Sequence, residues 1–427
     1  MQQDLKVRKN ALVISVKRDY PVSFRMTSTS TGDFQIMKKT LAALAVMGAF
    51  GATSAFAADV TLYGLVDYGF NYQHIDGDQP GVDAADNFKM MSGQNSGSRF
   101  GLKGTEDLGN GLKVIFQLEN GFNGDDGTFN TDGKLFDRQA TLALAGSFGE
   151  VAFGRMGQLA SALGSYGLLG NTSPFSSGWQ DITGMKFVQA KGHTRYDNMV
   201  TYKTPTFAGF NAFAQYTFGN TGDNDETGAA KISWNEGKAS ADRYYAIGAT
   251  YKTQNLYLVG IVDSVNYGSK QTYAVNGTTD KDLDDSLTVT LGGNYNFGFM
   301  TTYAAFQYFD NALGVGQKTI GTSSIATGSQ FKANGAEGYS VALGLGVPAF
   351  GGTAKAHVGY VTAEDTKDSD LLEFTRWNLA VGYDYNISKR TTVYTSAAYM
   401  QDKSETKGKA DVEPSAVEVM AGMIHRF

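Results

Sequence analysis

The stretch RWNLAVGYDYNIS repeats with a period of two. Trp377, Leu379, Val381, Tyr383, Tyr385 and Ile387 share one face, and Asn378, Ala380, Gly382, Asp384 and Asn386 share the other. Such alternation marks a strand with two unlike faces. In GFNAFAQYTFG one face holds Phe210, Ala212, Ala214, Tyr216 and Phe218. In LKVIFQLENGF, Val114, Phe116 and Leu118 oppose Lys113, Gln117 and Glu119. About sixteen stretches of this kind recur, at 59–75, 98–105, 112–122, 135–147, 151–156, 194–203, 209–219, 243–253, 256–268, 286–297, 300–310, 338–347, 352–364, 375–387, 391–402 and 416–427. An even number is what a single-chain bacterial barrel requires.

The connections alternate too. EDLGNG, SFGE, TPTFAG, KTQN, NFGF, VPAFGG and NISKR are short, whereas the intervening ones are long and rich in Gly, Asp, Asn, Ser and Thr. Short turns at one end and long loops at the other characterise outer-membrane barrels, and an even strand count puts both termini on the periplasmic side. A soluble β-sandwich also alternates, but with polar residues outward. Aromatic residues near the strand ends favour lipid on the apolar side. The composition agrees, with 53 Gly, 6 Pro, 27 Phe, 23 Tyr and no Cys. Without cysteine there is no disulfide framework and no thiolate site. After the first sixty positions no apolar run is long enough for a membrane helix. The fold class is therefore all-β: a transmembrane antiparallel β-barrel of 16 strands.

From Met37 the chain reads MKKTLAALAVMGAFGATSAFA. Lys38 and Lys39 form a basic start, Leu41 to Phe50 an apolar stretch, and Ala55-Phe56-Ala57 a cleavage signature. Residues 37–57 read as a signal peptide, residues 1–36 as an upstream extension from an over-called start codon, and 58–427 as the barrel. The chain carries 36 basic and 42 acidic residues, of which the first 57 positions hold eight and three, so the remainder has a net charge of about −11. No basic stripe marks a nucleic-acid surface, and nucleic acid is not an expected partner.

The blocks DVTLYGLVDYGF, SRFGLKGTEDLGNGLKVIFQLENGF, DRQATLALAGSFGEVAFGR and GMIHRF, with PF inside the next long loop, resemble the Gram-negative general diffusion porins in order and spacing. SRFGLKG…EDLG is the most specific of these. The resemblance implies a homotrimer in the outer membrane, a third loop folded into the pore, and passive passage of ions and small hydrophilic solutes. Outer-membrane lipid, lipopolysaccharide and the barrel-assembly machinery are then the expected partners.

In such a pore the charges facing the constriction decide what passes. Phe100 and Leu102 take the lipid face, which turns Arg99 and Lys103 inward. A lipid-facing Arg at mid-depth would cost ~2–4 kcal/mol. Arg195 shares parity with Lys203 and looks inward. By resemblance, Arg99 and Arg195 match members of a basic pore-wall cluster, and Arg99, Lys103 and Arg195 are the candidate basic side. Gln139, Thr141 and Glu119 face the lumen by parity, Glu119 adding negative field. Thr141 stands where some relatives carry an arginine. Arg138 has the wrong parity for the lumen unless a bulge intervenes. The long loop 157–192 contains Pro174 and Phe175. Its single acid, Asp181, is the candidate acidic side, offset by Lys186 and Lys191. Arg155 has lipid-side parity and calls for a protein partner. By resemblance it is a trimer contact.

No enzyme motif appears: there is no G-x-S-x-G and no P-loop, and His74, His193, His357 and His425 lack ligand spacing. No enzymatic activity, cofactor or metal is expected. Besides a general diffusion pore, the sequence admits a channel selective for a sugar or an organic acid, or an added adhesin role through loops such as 220–242. The sugar reading lacks an aromatic ladder, Tyr63 being a scattered exception on the lumen side. The net charge favours cations at the mouths and the arginines favour anions at the constriction. Mild cation selectivity is the resulting expectation. The final strand, AVEVMAGMIHRF, reads as the closing stave. Phe427 and His425 lie on its outward face, and the resemblance implies that this end serves as an assembly signal.

Overall fold

A computed structural model describes residues 59–78, 83–175, 190, 194–219, 242–267, 273–275, 278–280, 284–313, 315, 335–367 and 371–427. Residues 1–57, Asp181, Lys186, Lys191, His193 and nearly all of 220–242 lie outside the described residues, and with them the expected signal peptide and the candidate acidic side.

The strands, in chain order, are β1 (Thr61–Asp76), β2 (Ala85–Ser92), β3 (Arg99–Gly109), β4 (Leu112–Gly121), β5 (Gln139–Gly146), β6 (Gly149–Gly157), β7 (Arg195–Lys203), β8 (Phe210–Thr217), β9 (Arg243–Lys252) and β10 (Leu256–Asn266). A small hairpin follows, β11 (Tyr273–Val275) with β12 (Thr278–Asp280). Then come β13 (Ser286–Asn296), β14 (Thr301–Ala312), β15 (Ala336–Ala349), β16 (Gly352–Asp365), β17 (Leu372–Asn386), β18 (Thr391–Thr406) and β19 (Ser415–Arg426). Apart from the hairpin, each strand pairs antiparallel with its neighbour, and β19 returns to β1 from Leu65↔Arg426 to Asp76↔Ser415. The ring thus closes from β19 through β1 to β3, as a sheet that spans lipid requires.

Seventeen segments make sixteen staves because the second is broken. β3 pairs with β1 over Thr61–Leu65, and β2 continues on the same side over Tyr68–Ile75. The expected strand 98–105 is only the lower half of this stave. The upper half was hidden because GQNSGS between the halves reads as a turn, and Gly93 does adopt φ 71°. The expected strand 135–147 starts later, at Gln139. Its first residues belong to a loop gathered by the Asp137 carboxylate, which accepts the Gly121 N–H at 2.6 Å, the Asn130 amide at 3.1 Å and the Thr131 hydroxyl at 3.2 Å.

Burial assigns the faces. Leu142 is 55% exposed, while Thr141 and Ala143 beside it are 7% and 4%. The same holds around the ring: Phe70, Ile247, Leu291, Leu343, Leu379 and Val419 are exposed, and Asp67, Gln215, Thr290, Ser340 and Asn378 are buried. Apolar outside and polar inside is the arrangement of a barrel standing in lipid and the reverse of a soluble sandwich. Aromatic pairs lie at several strand ends, such as Phe210 against Tyr251 and Tyr295 against Phe297. Rings at that level suit the membrane interface.

Candidate functional site

The interior is narrowed by the connection between β6 and β7. Its root is held by Gln158, whose N–H donates to the Thr194 carbonyl at 3.1 Å, and by Gln215 of β8, whose amide oxygen accepts the Leu159 N–H at 2.9 Å. The Tyr257 hydroxyl of β10 donates to the Leu168 carbonyl at 2.7 Å, just before the 3-10 turn Leu169–Asn171. Asn294 of β13 donates to the Asn171 carbonyl at 2.7 Å. The loop therefore follows the inner face of the sheet. Small residues on that face admit it: Thr172 lies against Gly292, Pro174 against Gly344 and Phe175 against Gly382. Phe175 is fully buried, with the Lys355 ammonium 5.7 Å from its ring centre. On the return, the Ala190 N–H donates to Gln307 of β14 at 3.0 Å. Over its described residues, Pro174 and Phe175 among them, the loop lies against the inner face of the sheet.

Gln139 and Thr141 point inward but do not line open water. The Gln139 amide nitrogen donates to Gln117, Thr141 and Ser165 at 3.1, 3.2 and 3.1 Å, and its oxygen accepts the Ser165 N–H. They anchor the root of the inward loop. Tyr166 adds a clasp by donating to Glu150 at 2.6 Å. Burial, with the Glu150 carboxylate beside it, raises the Tyr166 hydroxyl well above the ordinary tyrosine range, so it remains a donor.

The facing wall carries charge. Glu119 of β4 lies between two guanidinium groups, Arg138 Nε at 2.8 Å and Arg99 Nε at 3.7 Å. The Tyr63 hydroxyl donates to its other oxygen at 3.0 Å. Arg99 and Glu119 thus meet on one wall, and Glu119 adds no free negative field, because two cations share it. Lys103 sits below, its ammonium 5.2 Å from the Tyr63 ring centre.

Arg138 overturns the parity argument. It precedes the first residue of β5, so strand alternation does not bind it, and it bonds the inward-facing Glu119. For Arg195 the parity shared with Lys203 also fails. The residues from Tyr196 to Met199 of β7 span only those from Met156 to Gly154 of β6, a bulge centred on Asn198 at φ 54°. Arg195 nevertheless joins the group, interacting electrostatically with Arg138, Asp137, Arg155 and Glu119. Its Nε and Nη2 are enclosed and have no hydrogen-bond partner among the described residues.

Arg155 is 8% exposed and finds the required partner in its own chain. Its Nε donates to the Asp137 carbonyl at 2.5 Å and its Nη1 pairs with Asp197 at 2.6 Å, which Lys134 also approaches at 3.3 Å. Three features escaped sequence reasoning. The first is the contact of Arg138 with Glu119, which strand parity alone sets aside. The second is the wholly buried Arg376, paired with Asp402 through two bonds of 2.6 and 2.7 Å. The third is the inward turn at 93–98. Only Arg376 left a usable signal: Arg376 and Asp402 share the polar parity of their strands.

The described residues thus combine a basic wall, one carboxylate shared by two arginines, and an inward loop with an apolar tip. Among the described residues no group of three or more His, Asp or Glu is placed to hold a metal ion.

Comparison with known proteins agrees with this geometry. The family model for Gram-negative porins matches residues 40–405. An outer membrane porin of Bordetella pertussis is 32% identical over 92% of this chain and 100% of its own length. Outer membrane porin protein 32 of Delftia acidovorans is 33% identical over the same shares. Among solved structures, an anion-selective porin from Comamonas acidovorans superposes with a TM-score of 0.59 and 28% identity, covering 87% of this chain and all of that one.

Proposed function

The chain belongs to the Gram-negative porins, a family of outer-membrane channels for passive diffusion, and from that premise we propose that it is a general diffusion pore with a preference for anions. The observation that carries this is the wall on which Arg99 and Arg138 share the single carboxylate of Glu119 while Arg195 keeps two enclosed, unpartnered nitrogens. Charge at the narrowest level acts on an ion at near contact. Loop charges at the mouths stand in salt water, where fields fade within about 8–10 Å. Local charge therefore outweighs the net of about −11 that favours cations. The similar solved porin that is named as anion-selective supports the same sign. The mild cation preference expected from net charge is replaced accordingly.

The pore works without chemistry. Solutes cross by diffusion, and the inward loop with the basic wall sets size and sign. We assign the protein a homotrimeric state in the outer membrane, in contact with lipid and lipopolysaccharide, with Phe427 and His425 as the element read by the assembly machinery. Arg155, already bound by Asp137 and Asp197, is assigned to the root of the inward loop rather than to a contact between subunits. Planar-bilayer recording tests the proposal. Conductance linear in salt, closure in three steps and an anion-signed zero-current potential are the expected results. Saturation by one solute would replace the general pore with a selective channel.

A further inference from the structure

Between β2 and β3 the chain leaves the sheet and lies over the inner face of β1. One side chain pins it there. The Asp67 carboxylate is fully buried. Its Oδ2 accepts the N–H groups of Asn95 and Ser96 at 2.8 and 2.7 Å, and its Oδ1 accepts the Tyr394 hydroxyl at 2.7 Å. The backbone adds to the clasp. The Gly93 N–H donates to the Asp67 carbonyl at 2.8 Å, and the Asp67 N–H donates to Ser98 Oγ at 3.1 Å. Tyr394 stands on β18, two strands from Asp67. It reaches over Gly422 of β19, where a Cβ would collide with its ring.

A buried carboxylate is costly unless its charge is met by donors. Here three donors meet it, two of them main-chain groups that the broken stave would otherwise leave unpaired. The pinned segment also touches the basic wall. The Gly97 carbonyl accepts from Arg99 Nη1 at 3.2 Å. On its other side Gly97 abuts Arg138, where an added Cβ would lie 2.8 Å from Nη1.

We propose that Asp67 and Tyr394 are positioning residues that hold residues 93–98 in the lumen as a second inward element, and that this element fixes where Arg99 and Arg138 point. The proposal rests on the reading that those arginines set the ion preference, and its test separates the two.

The chain has no cysteine, so Asn95→Cys gives a unique site for a spin label. The label is expected to be immobilised in the otherwise unchanged protein and mobile in Asp67→Ala. Tyr394→Phe, the milder change, is expected to lower the anion-to-cation permeability ratio about twofold and Asp67→Ala to lower it further, with Asp67→Asn lying between because it keeps an acceptor. Gly97→Ala leaves the clasp intact and crowds Arg138, so the ratio shifts while the label stays immobilised. Equal label mobility with and without Asp67 or Tyr394 overturns the clasp. A label that responds, with a ratio that changes in Arg99→Ser but in none of these variants, overturns the positioning role and leaves the ion-preference reading standing. No change in Arg99→Ser overturns that reading instead, and the label then decides the clasp alone.

Discussion

Arg138 Nε lies 2.8 Å from Glu119 Oε1, on the carboxylate that Arg99 approaches from the other side at 3.7 Å. Two cations on one anion leave the wall positive. Replacing Glu119 with Gln removes the shared counter-charge at nearly constant shape. The anion-to-cation permeability ratio is expected to rise roughly two- to fivefold, since a unit charge a few ångströms from an ion in water is worth about 1 kcal/mol. Bi-ionic potentials measure it. A fall in the ratio would mean that the arginines do not act on the permeating ion.

The tip of the inward loop depends on Gly382. A Cβ there would lie 2.7 Å from the Phe175 ring, which is packed without solvent contact beneath Lys355. Gly382→Leu is expected to dislodge the tip, raise single-channel conductance and admit larger neutral solutes in liposome swelling. Unchanged solute cut-off and conductance would show that the tip does not narrow the passage.

The buried pair Arg376–Asp402 ties β17 to β18. Removing one partner leaves a buried charge less well neutralised, and breaking a buried pair costs about 3–5 kcal/mol. Asp402→Ala is expected to lower the temperature at which the folded barrel is lost on a semi-native gel. The double replacement with apolar residues should recover most of the loss. Equal melting of all three proteins would contradict this.

At the seam, Phe427 and Gly64 exchange N–H···O bonds, both 3.1 Å, and the Phe427 ring covers Gly64. Arg426 continues the pairing with Leu65, and His425 Nδ1 lies 3.0 Å from the Thr391 hydroxyl. Deleting Phe427 is expected to reduce the amount of assembled protein in outer-membrane fractions while the molecules that do assemble conduct normally. Full assembly from the deleted chain would rule out an address role.

Much of this was legible in the sequence because alternation is a geometric consequence of the strand. Trp377, Leu379 and Val381 face outward as read, and Arg99 and Glu119 face inward. The reading failed where the chain stops being a regular strand. Arg138 sits one residue before β5, Arg195 beyond a bulge, and residues 93–98 leave the sheet altogether, so a period of two says nothing about where they point. The chemistry of the site lies at those irregularities. Net charge is a weaker guide for a different reason: it counts every residue equally, whereas a permeating ion feels the nearest few.

The zero-current potential of the purified protein in a potassium chloride gradient tests the central claim most directly. The account predicts an anion-signed potential, moved towards cations when Arg99, Arg138 and Arg195 are together replaced with Ser. A cation-signed potential in the unaltered protein, unmoved by the triple replacement, would contradict it.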